Sequence, residues 1–371
     1  MRATVLGGGI VGLWTAEVLA ARGHTVVVRT DSPVFSTTSA AAVCVITPLF
    51  PSDPAEAVFK TSWTWFERTL AKFEELDGGG LFLERIPSYE FGYEQDGEFY
   101  LEKEFNVRKF AHLPFSTVEI IRLPSPIEVQ NHVGDLQRNV FGAKFVSVLC
   151  NTEVFLAWLR SDLEQRGVVF DERSRITRND LRTMDADVVF NCLGFRSGSI
   201  FPDPELRAVR GQSMFIDAEN HEGPFFGIAS GHHAIFRHRR GYYLGSYFLE
   251  GETHVPTWPQ QTEYELSLRF ARGPYPDLCR AVGYEPPKID FTRIRRVNTG
   301  IRPYRTSGPR VVAEVIDGMT LVHNYGHGAH GWTIGYATSC QAVQLGEHAI
   351  RQLTVASNNE SVPSTRDTVA R

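Results

Sequence analysis

The sequence predicts an α/β chain in which a doubly wound, mainly parallel sheet is interleaved with a separate antiparallel sheet. At the N-terminus a short apolar strand, a glycine-rich turn and an apolar helix follow one another, the opening of a βαβ unit. In mid-chain Asp187-Val188-Val189-Phe190-Asn191-Cys192-Leu193-Gly194 reads as a buried strand ending in glycine. Between such segments lie stretches rich in Phe, Tyr and Pro with alternating patterns. Examples are Glu98-Phe99-Tyr100-Leu101-Glu102 and Gly241-Tyr242-Tyr243-Leu244-Gly245, which read as antiparallel strands. The 371 residues, 42% of them hydrophobic, suffice for one large domain or two modest ones.

Taken in order, the first element is Ala3-Thr4-Val5-Leu6, followed by Gly7-Gly8-Gly9-Ile10-Val11-Gly12 and an apolar helix. Gly7 permits the tight turn, Gly9 lets the backbone approach a pyrophosphate, and Gly12 lets helix and strand lie close. Ile10 and Val11 open the helix, whose unpaired N–H groups and positive dipole end favour phosphate. This is a Rossmann-like dinucleotide-binding start. The second strand, Thr25 to Val28, should end on an acid for the adenosine ribose, yet Arg29 follows and the first carboxylate is Asp31. Either Asp31 meets the ribose, or Arg29 reads a 2'-phosphate, or both sit on a solvated turn before Pro33. Near the C-terminus, Asn324 to Gly331 places three glycines in eight residues before a helical pattern starting at Trp332. It reads as a nest-like loop feeding a helix N-terminus. A metal site at His323, His327 and His330 is the rival reading, but no carboxylate or cysteine accompanies them, so no metal is expected.

Charge and cysteine usage narrow the function classes. With 38 basic against 43 acidic side chains the net charge is -5, which gives no reason to expect a nucleic acid or an acidic membrane surface as partner. No run approaches the roughly 20 apolar residues of a membrane span. Cys44, Cys150, Cys192, Cys279 and Cys340 are dispersed and unpaired in sequence, which suits a reducing compartment. The glycine motif begins too early for a cleavable signal peptide to precede it, so a cytoplasmic enzyme is expected.

Four further segments share one family's order: Ala186 to Gly194, Arg210-Gly211-Gln212, Gly300-Ile301-Arg302-Pro303-Tyr304-Arg305 with Gly308-Pro309-Arg310, and His323 to Trp332. Together with the N-terminal motif they resemble the FAD-dependent D-amino acid oxidases and their relatives, D-aspartate oxidase and glycine oxidase, from Met1 to about residue 350. The resemblance implies FAD rather than NAD, and a Rossmann-like FAD-binding domain with an interleaved antiparallel-sheet substrate domain. Residues 1–50, 150–200 and 300–350 would form the first and 51–149 and 201–299 the second. The tail 354–371, polar after Leu353, is expected to be disordered. Beside Gly7, Gly9, Ile10, Val11 and Gly12, the cofactor is expected to meet Arg29, Asp31, Thr37, Thr38, Cys44, Val45, Thr47 and Gly194. At its flavin end it would meet Gly328, Ala329, His330, Gly331, Trp332 and Thr333. Reduction leaves negative charge on one end of the flavin ring, which backbone N–H groups and a helix N-terminus stabilise. Cys44, standing where the family tends to have a small Ala/Gly stretch, would tune oxygen reactivity or fill space.

On the substrate side the resemblance assigns the carboxylate clamp to Arg302, whose guanidinium fork makes two parallel bonds to a carboxylate and stays charged when partly buried. The implied reaction is hydride transfer from the α carbon to flavin N5. Molecular oxygen then reoxidises the flavin to give hydrogen peroxide, and the imino acid hydrolyses. His233 stands where the family has an active-site tyrosine, and Tyr247 lies beside Phe248 at the place of a second. Arg237-His238-Arg239-Arg240 would draw in an acidic substrate or form a solvated turn. The expected partners are a small amino acid and oxygen, with a homodimer left open. The alternatives are a flavin oxidase or dehydrogenase of glycine-like, cyclic or biosynthetic amino acids, or a flavoprotein without turnover.

Overall fold

The computed structural model describes residues 1–33, 36–46, 56–78, 80–95, 98–99, 119–130, 136–172, 175–218, 224–230, 233–238, 241–245, 249–254 and 261–360. Strands run β1 (Arg2–Leu6), β2 (Thr25–Arg29), β3 (Val45–Ile46), β4 (Leu83–Gln95), β5 (Glu98–Phe99), β6 (Glu119–Gln130), β7 (Leu136–Cys150), β8 (Val169–Asp171) and β9 (Val188–Asn191). They continue with β10 (Leu206–Asp217), β11 (Phe226–Ser230), β12 (His233–His238), β13 (Gly241–Gly245), β14 (Leu249–Glu250), β15 (Ile294–Arg305), β16 (Arg310–Ile316) and β17 (Met319–Tyr325).

The first sheet has the order β16-β17-β9-β1-β2-β8, parallel throughout except for the β16–β17 hairpin. Its central strands are buried on both faces, as the unbroken Val/Phe run of β9 requires. Helix Ile10–Ala21 packs beside the C-terminal helix Gly331–Glu360 against this sheet. Trp14 sits at the centre of that core, 5.2 Å from Phe73, 5.3 Å from Phe155 and 5.2 Å from Tyr336, ring to ring. No helix among the described residues is long and apolar enough to cross a membrane.

The second sheet has the order β14-β10-β13-β12-β11-β4-β7-β3, with β15 paired to β10 and β6 to β7. It is antiparallel apart from the β11–β4 pair. One face carries Met214, Ile228, Ile235 and Leu244, packed with Phe270, Tyr275 and Leu278 of helices Gln261–Arg272 and Pro274–Ala281. On the other face Gly211, Ser213, Ala234, Gly245 and Gly300 form a patch of small residues, with Phe215, Phe236 and Tyr243 beyond it. The predicted α/β class with its two interleaved sheets is the observed one. The tail differs from expectation in part: the C-terminal helix runs past Leu353 to Glu360, because Thr354 to Glu360 holds no glycine or proline to stop it. Residues 361–371 lie outside the described ones.

The glycine turn is sterically sealed, since a Cβ at Gly12 would collide with the carbonyl oxygen of Gly7. Gly12→Ala is therefore expected to abolish recovery of folded yellow protein. Gly23→Ala, where a Cβ meets nothing within 4 Å and only a φ of +75° is strained, should cost about 1 kcal/mol and retain the flavin. Flavin absorbance and thermal melting of the two variants check the contrast.

Candidate active site

Three segments converge on the short helix Thr38–Ala41. The Ile10 N–H at the head of the glycine-turn helix donates to Ser39 Oγ at 2.9 Å. The Trp332 indole donates to the Ser39 carbonyl at 3.1 Å, tying in the C-terminal helix. The same helix lies on β15, where a Cβ at Gly300 would press on Thr38. The Thr37 side chain caps this helix by accepting from Ala40 N. Ser39, which joins the first two, was not among the expected residues. Its signal was there to read, a serine between two threonines and a run of alanines.

Arg302 lies on β15 and thus in the second sheet, opposite Val209 of β10. Its guanidinium runs diagonally over Gly211, where any Cβ would collide with it. This explains the glycine of Arg210-Gly211-Gln212. Burial lowers the Arg302 pKa to about 10, so it stays protonated at neutral pH. Two expected cofactor loops meet β15 at the next residue. Gly328 N–H donates to the Pro303 carbonyl at 2.9 Å, and a Cβ at Gly194 would sit 3.8 Å from the Pro303 ring. Arg305 anchors the end of the strand through Asp203 at 2.9 Å, and Tyr325 donates to the same carboxylate at 2.7 Å. Burial raises the Asp203 pKa, but these bonds outweigh it and hold the carboxyl below its usual range.

His233 does not join Arg302. Register places Ala234 opposite Gly245, Gly245 opposite Ser213, and Ser213 opposite Asn298, so Ala234 shares the Arg302 face and His233 points the other way. Its Nε2 donates to the Gln130 carbonyl at 2.7 Å, and its ring stacks on Phe270 at 5.1 Å. The expectation that it replaces an active-site tyrosine is corrected by the period of two along β12. Tyr247 and Thr47 lie outside the described residues, as do Arg239 and Arg240 of the basic turn. Arg237 is buried rather than a solvated tip.

Cys44 is buried in a left-handed backbone conformation, φ 54°, and its carbonyl accepts from Cys150 N at 3.0 Å. Burial drives its thiol pKa well up, with the Cys150 thiol adding to the rise, which disfavours the reactive thiolate. Val45 follows it into the β3–β7 pair. Arg29 ends β2 with a buried Nε that has no hydrogen-bond partner, while Asp31 pairs with Arg196. Of the histidines, His323 accepts from Asn191 at 2.9 Å and donates to Glu314 at 2.6 Å, and His327 donates to Thr338 at 2.9 Å. Their rings are thus committed to separate bonds. His330 and Thr333 form the first turn of the C-terminal helix, Thr333 N–H donating to the His330 carbonyl, with Ala329 exposed just before it.

The residues present fit a dinucleotide with a flavin. The turn at Gly7 is so close to the neighbouring strand that a Cβ would lie 2.5 Å from the Cys192 carbonyl oxygen. The orphaned Arg29 Nε stands at the end of β2, where the adenosine half binds in such sheets. Gly194, Gly326 and Gly328 adopt φ of 59°, 87° and 55° in the loops that approach Pro303 and Arg305.

A parallel sheet with a sealed glycine turn, abutting a small-residue sheet face that carries a buried guanidinium, defines a nucleotide-dependent oxidoreductase. The model of the family described as FAD dependent oxidoreductase matches residues 2–345. The D-amino-acid oxidase of Streptomyces coelicolor is 29% identical over 351 residues, covering 92% of this chain and 95% of that protein. The human D-aspartate oxidase is 26% identical, covering 95% and 96%. Among solved structures, a glycine oxidase from Bacillus cereus matches with a TM-score of 0.66 at 15% identity, covering 94% of this chain and 97% of that one. The chain belongs to the FAD-dependent oxidoreductase family, resembles its D-amino-acid oxidases, and uses FAD as cofactor.

Burial holds the His327 pKa down to about 3, with His330 adding to the fall. The unfolded chain binds this proton near pH ~6.5, so stability is present above that pH and is lost as pH falls from there towards 3. The slope reaches at most about 1.4 kcal/mol per pH unit. Melting temperatures of the wild type and His327→Gln between pH 7 and 4 should converge as the pH falls.

Proposed function

We propose that this protein catalyses oxidative deamination of a D-amino acid to the imino acid, which hydrolyses to a 2-oxo acid and ammonia, with oxygen reduced to hydrogen peroxide. The observation that carries this reading is the Arg302 guanidinium laid over Gly211 on the sheet face that meets the glycine-loop junction. The 29% identity to a D-amino-acid oxidase across nearly the whole chain supports it. On this reading the first sheet and its helices form the FAD-binding domain, and the second sheet forms the substrate domain. Five free, buried thiols support a reducing compartment such as the cytoplasm.

When bound, FAD supplies the two-electron chemistry. It would be held by Gly7, Gly9, Ile10, Val11, Gly12, Arg29, Thr37, Thr38, Cys44, Val45 and Gly194, and by Gly328 to Thr333. Arg302 takes the substrate carboxylate in a two-pronged bond and fixes how the α carbon presents its hydrogen. The guanidinium stays charged because its pKa, though lowered, remains about 10. Gly211 leaves room for the guanidinium to cross the strand, and Gly300 leaves room for Thr38. The first turn of the C-terminal helix points backbone N–H groups where negative charge develops. No residue need act as base if the amine reacts neutral, so activity should rise with pH as the bound ammonium loses its proton.

Stereospecific peroxide release by the purified yellow protein across D- and L-amino acids tests the proposal. Flavin bleaching without oxygen consumption would point to a dehydrogenase, and no bleaching by any amine to a protein without turnover. Arg302→Lys keeps the charge but loses the fork, and should lower kcat/KM roughly 100-fold with FAD retained. Gly211→Ala should raise KM by displacing the guanidinium while leaving the absorbance spectrum of bound FAD unchanged.

A further inference from the structure

On the face that carries Arg302, Ser213 and Asn298 stand directly opposite each other across the β10–β15 pair. Both are buried, 5% and 9% exposed, and Ser213 Oγ and Asn298 Nδ2 have no hydrogen-bond partner. Towards Arg302 and β13 their neighbours on this face are Gly211, Gly300, Gly245 and Ala234, none of which brings a side chain larger than a methyl group, while Phe215 and Arg296 bound the other end. The Arg302 guanidinium reaches over Gly211, one side-chain step along β10 from Ser213, and such a step is about 7 Å. An amino acid whose carboxylate sits on Arg302 can extend its side chain across that span.

At the far end of the patch, Arg296 is already engaged. It pairs with Glu153, donates to the Tyr243 hydroxyl at 2.8 Å, and lies over the Phe215 ring at 5.5 Å. Among the described residues, the polar groups left without a partner between the two arginines are therefore an uncharged hydroxyl and an uncharged amide N–H.

We infer that Ser213 and Asn298 form the side-chain subsite of the substrate pocket, selecting a D-amino acid whose short side chain ends in an uncharged oxygen group, a hydroxyl or carboxamide. The inference rests on the reading of this face as a D-amino acid pocket. Asn298 Nδ2 needs an acceptor and the Ser213 hydroxyl can give or take a proton, so an oxygen one or two carbons beyond the α carbon satisfies both. A buried polar group left unpaired is costly, so an aliphatic substrate forgoes bonds that a hydroxylated one regains. An acidic side chain would bring its charge towards Arg296, whose guanidinium already pairs with the Glu153 carboxylate.

The test uses the FAD-loaded enzyme with D-serine, D-asparagine, D-alanine and D-aspartate, together with two carboxylates that lack the reacting amine, 3-hydroxypropanoate and propanoate. D-serine or D-asparagine should exceed D-alanine and D-aspartate in kcat/KM by ten-fold or more. 3-Hydroxypropanoate should perturb the flavin absorbance at a ten-fold lower concentration than propanoate. The double variant Ser213→Ala, Asn298→Leu should erase both ratios without lowering the melting temperature, because it removes groups that have no bond to lose. A preference for D-alanine or D-aspartate, unchanged ratios in the variant, or a fall of several degrees in its melting temperature would overturn the inference and leave the oxidase reading standing. Discrimination between the two carboxylates with no reduction by any D-amino acid would keep the subsite and remove that reading. No response to any of these compounds removes both.

Discussion

The structure depends on one costly placement, a guanidinium partly withdrawn from water against the face of a β-sheet. A charge so placed is tolerated only where solvent or a counter-charge compensates it, and burial lowers the Arg302 pKa to about 10. The backbone makes room for it. Gly211 leaves no Cβ in the way, and the pairing of Val209 with Arg302 sets the angle at which the side chain crosses the sheet. A carboxylate is the group that best repays such an arrangement, because two parallel charge-assisted bonds replace the lost hydration.

That placement would be of little use on a mobile strand, and β15 is pinned at three points. Gly300 lies under Thr38, Pro303 accepts from Gly328, and Arg305 is tied to Asp203, which also receives the Tyr325 hydroxyl. The first contact reaches the glycine-turn helix through Ser39, and the second reaches the C-terminal helix through the loop that precedes it. Arg302 is therefore registered against the N-terminal ends of both helices. The motif Gly-Ile-Arg-Pro-Tyr-Arg reads, in physical terms, as one binding arginine and a set of fasteners around it.

Much of this was legible in the sequence, for a local reason. Glycine turns, apolar runs and alternating strands depend on a few consecutive residues, so the two sheets and the segments around Gly7, Gly194 and Gly328 could be placed before any coordinates. What was not legible depended on register. Whether His233 or Ala234 faces Arg302 is decided by the pairing of β12 with β13 and of β13 with β10, and a slip of one residue reverses the answer. The setting of Cys44 was not legible for a related reason. Its left-handed backbone and its neighbour Cys150 come from the β3–β7 pairing, a contact between residues far apart in the chain. Ser39 was missed because its local signal, two threonines before it and a run of alanines after it, does not tell what converges on it.

The two faces of the β10–β15 pair divide the work of the sheet. On one, Met214, Ile216 and Val297 join the apolar core under helices Gln261–Arg272 and Pro274–Ala281, and this packing fixes the sheet's curvature and register. On the other, Gly211, Gly300, Ser213 and Asn298 take the alternate positions between the Val209–Arg302 and Phe215–Arg296 pairs. Because successive residues of a strand alternate in direction, rigidity on the first face is transmitted without loss to the second. Small residues can then form a binding floor without loosening it. A strand that carried bulk at Gly211 could not seat the guanidinium, so the small residues around Arg302 are a condition of its placement that the packed face makes possible.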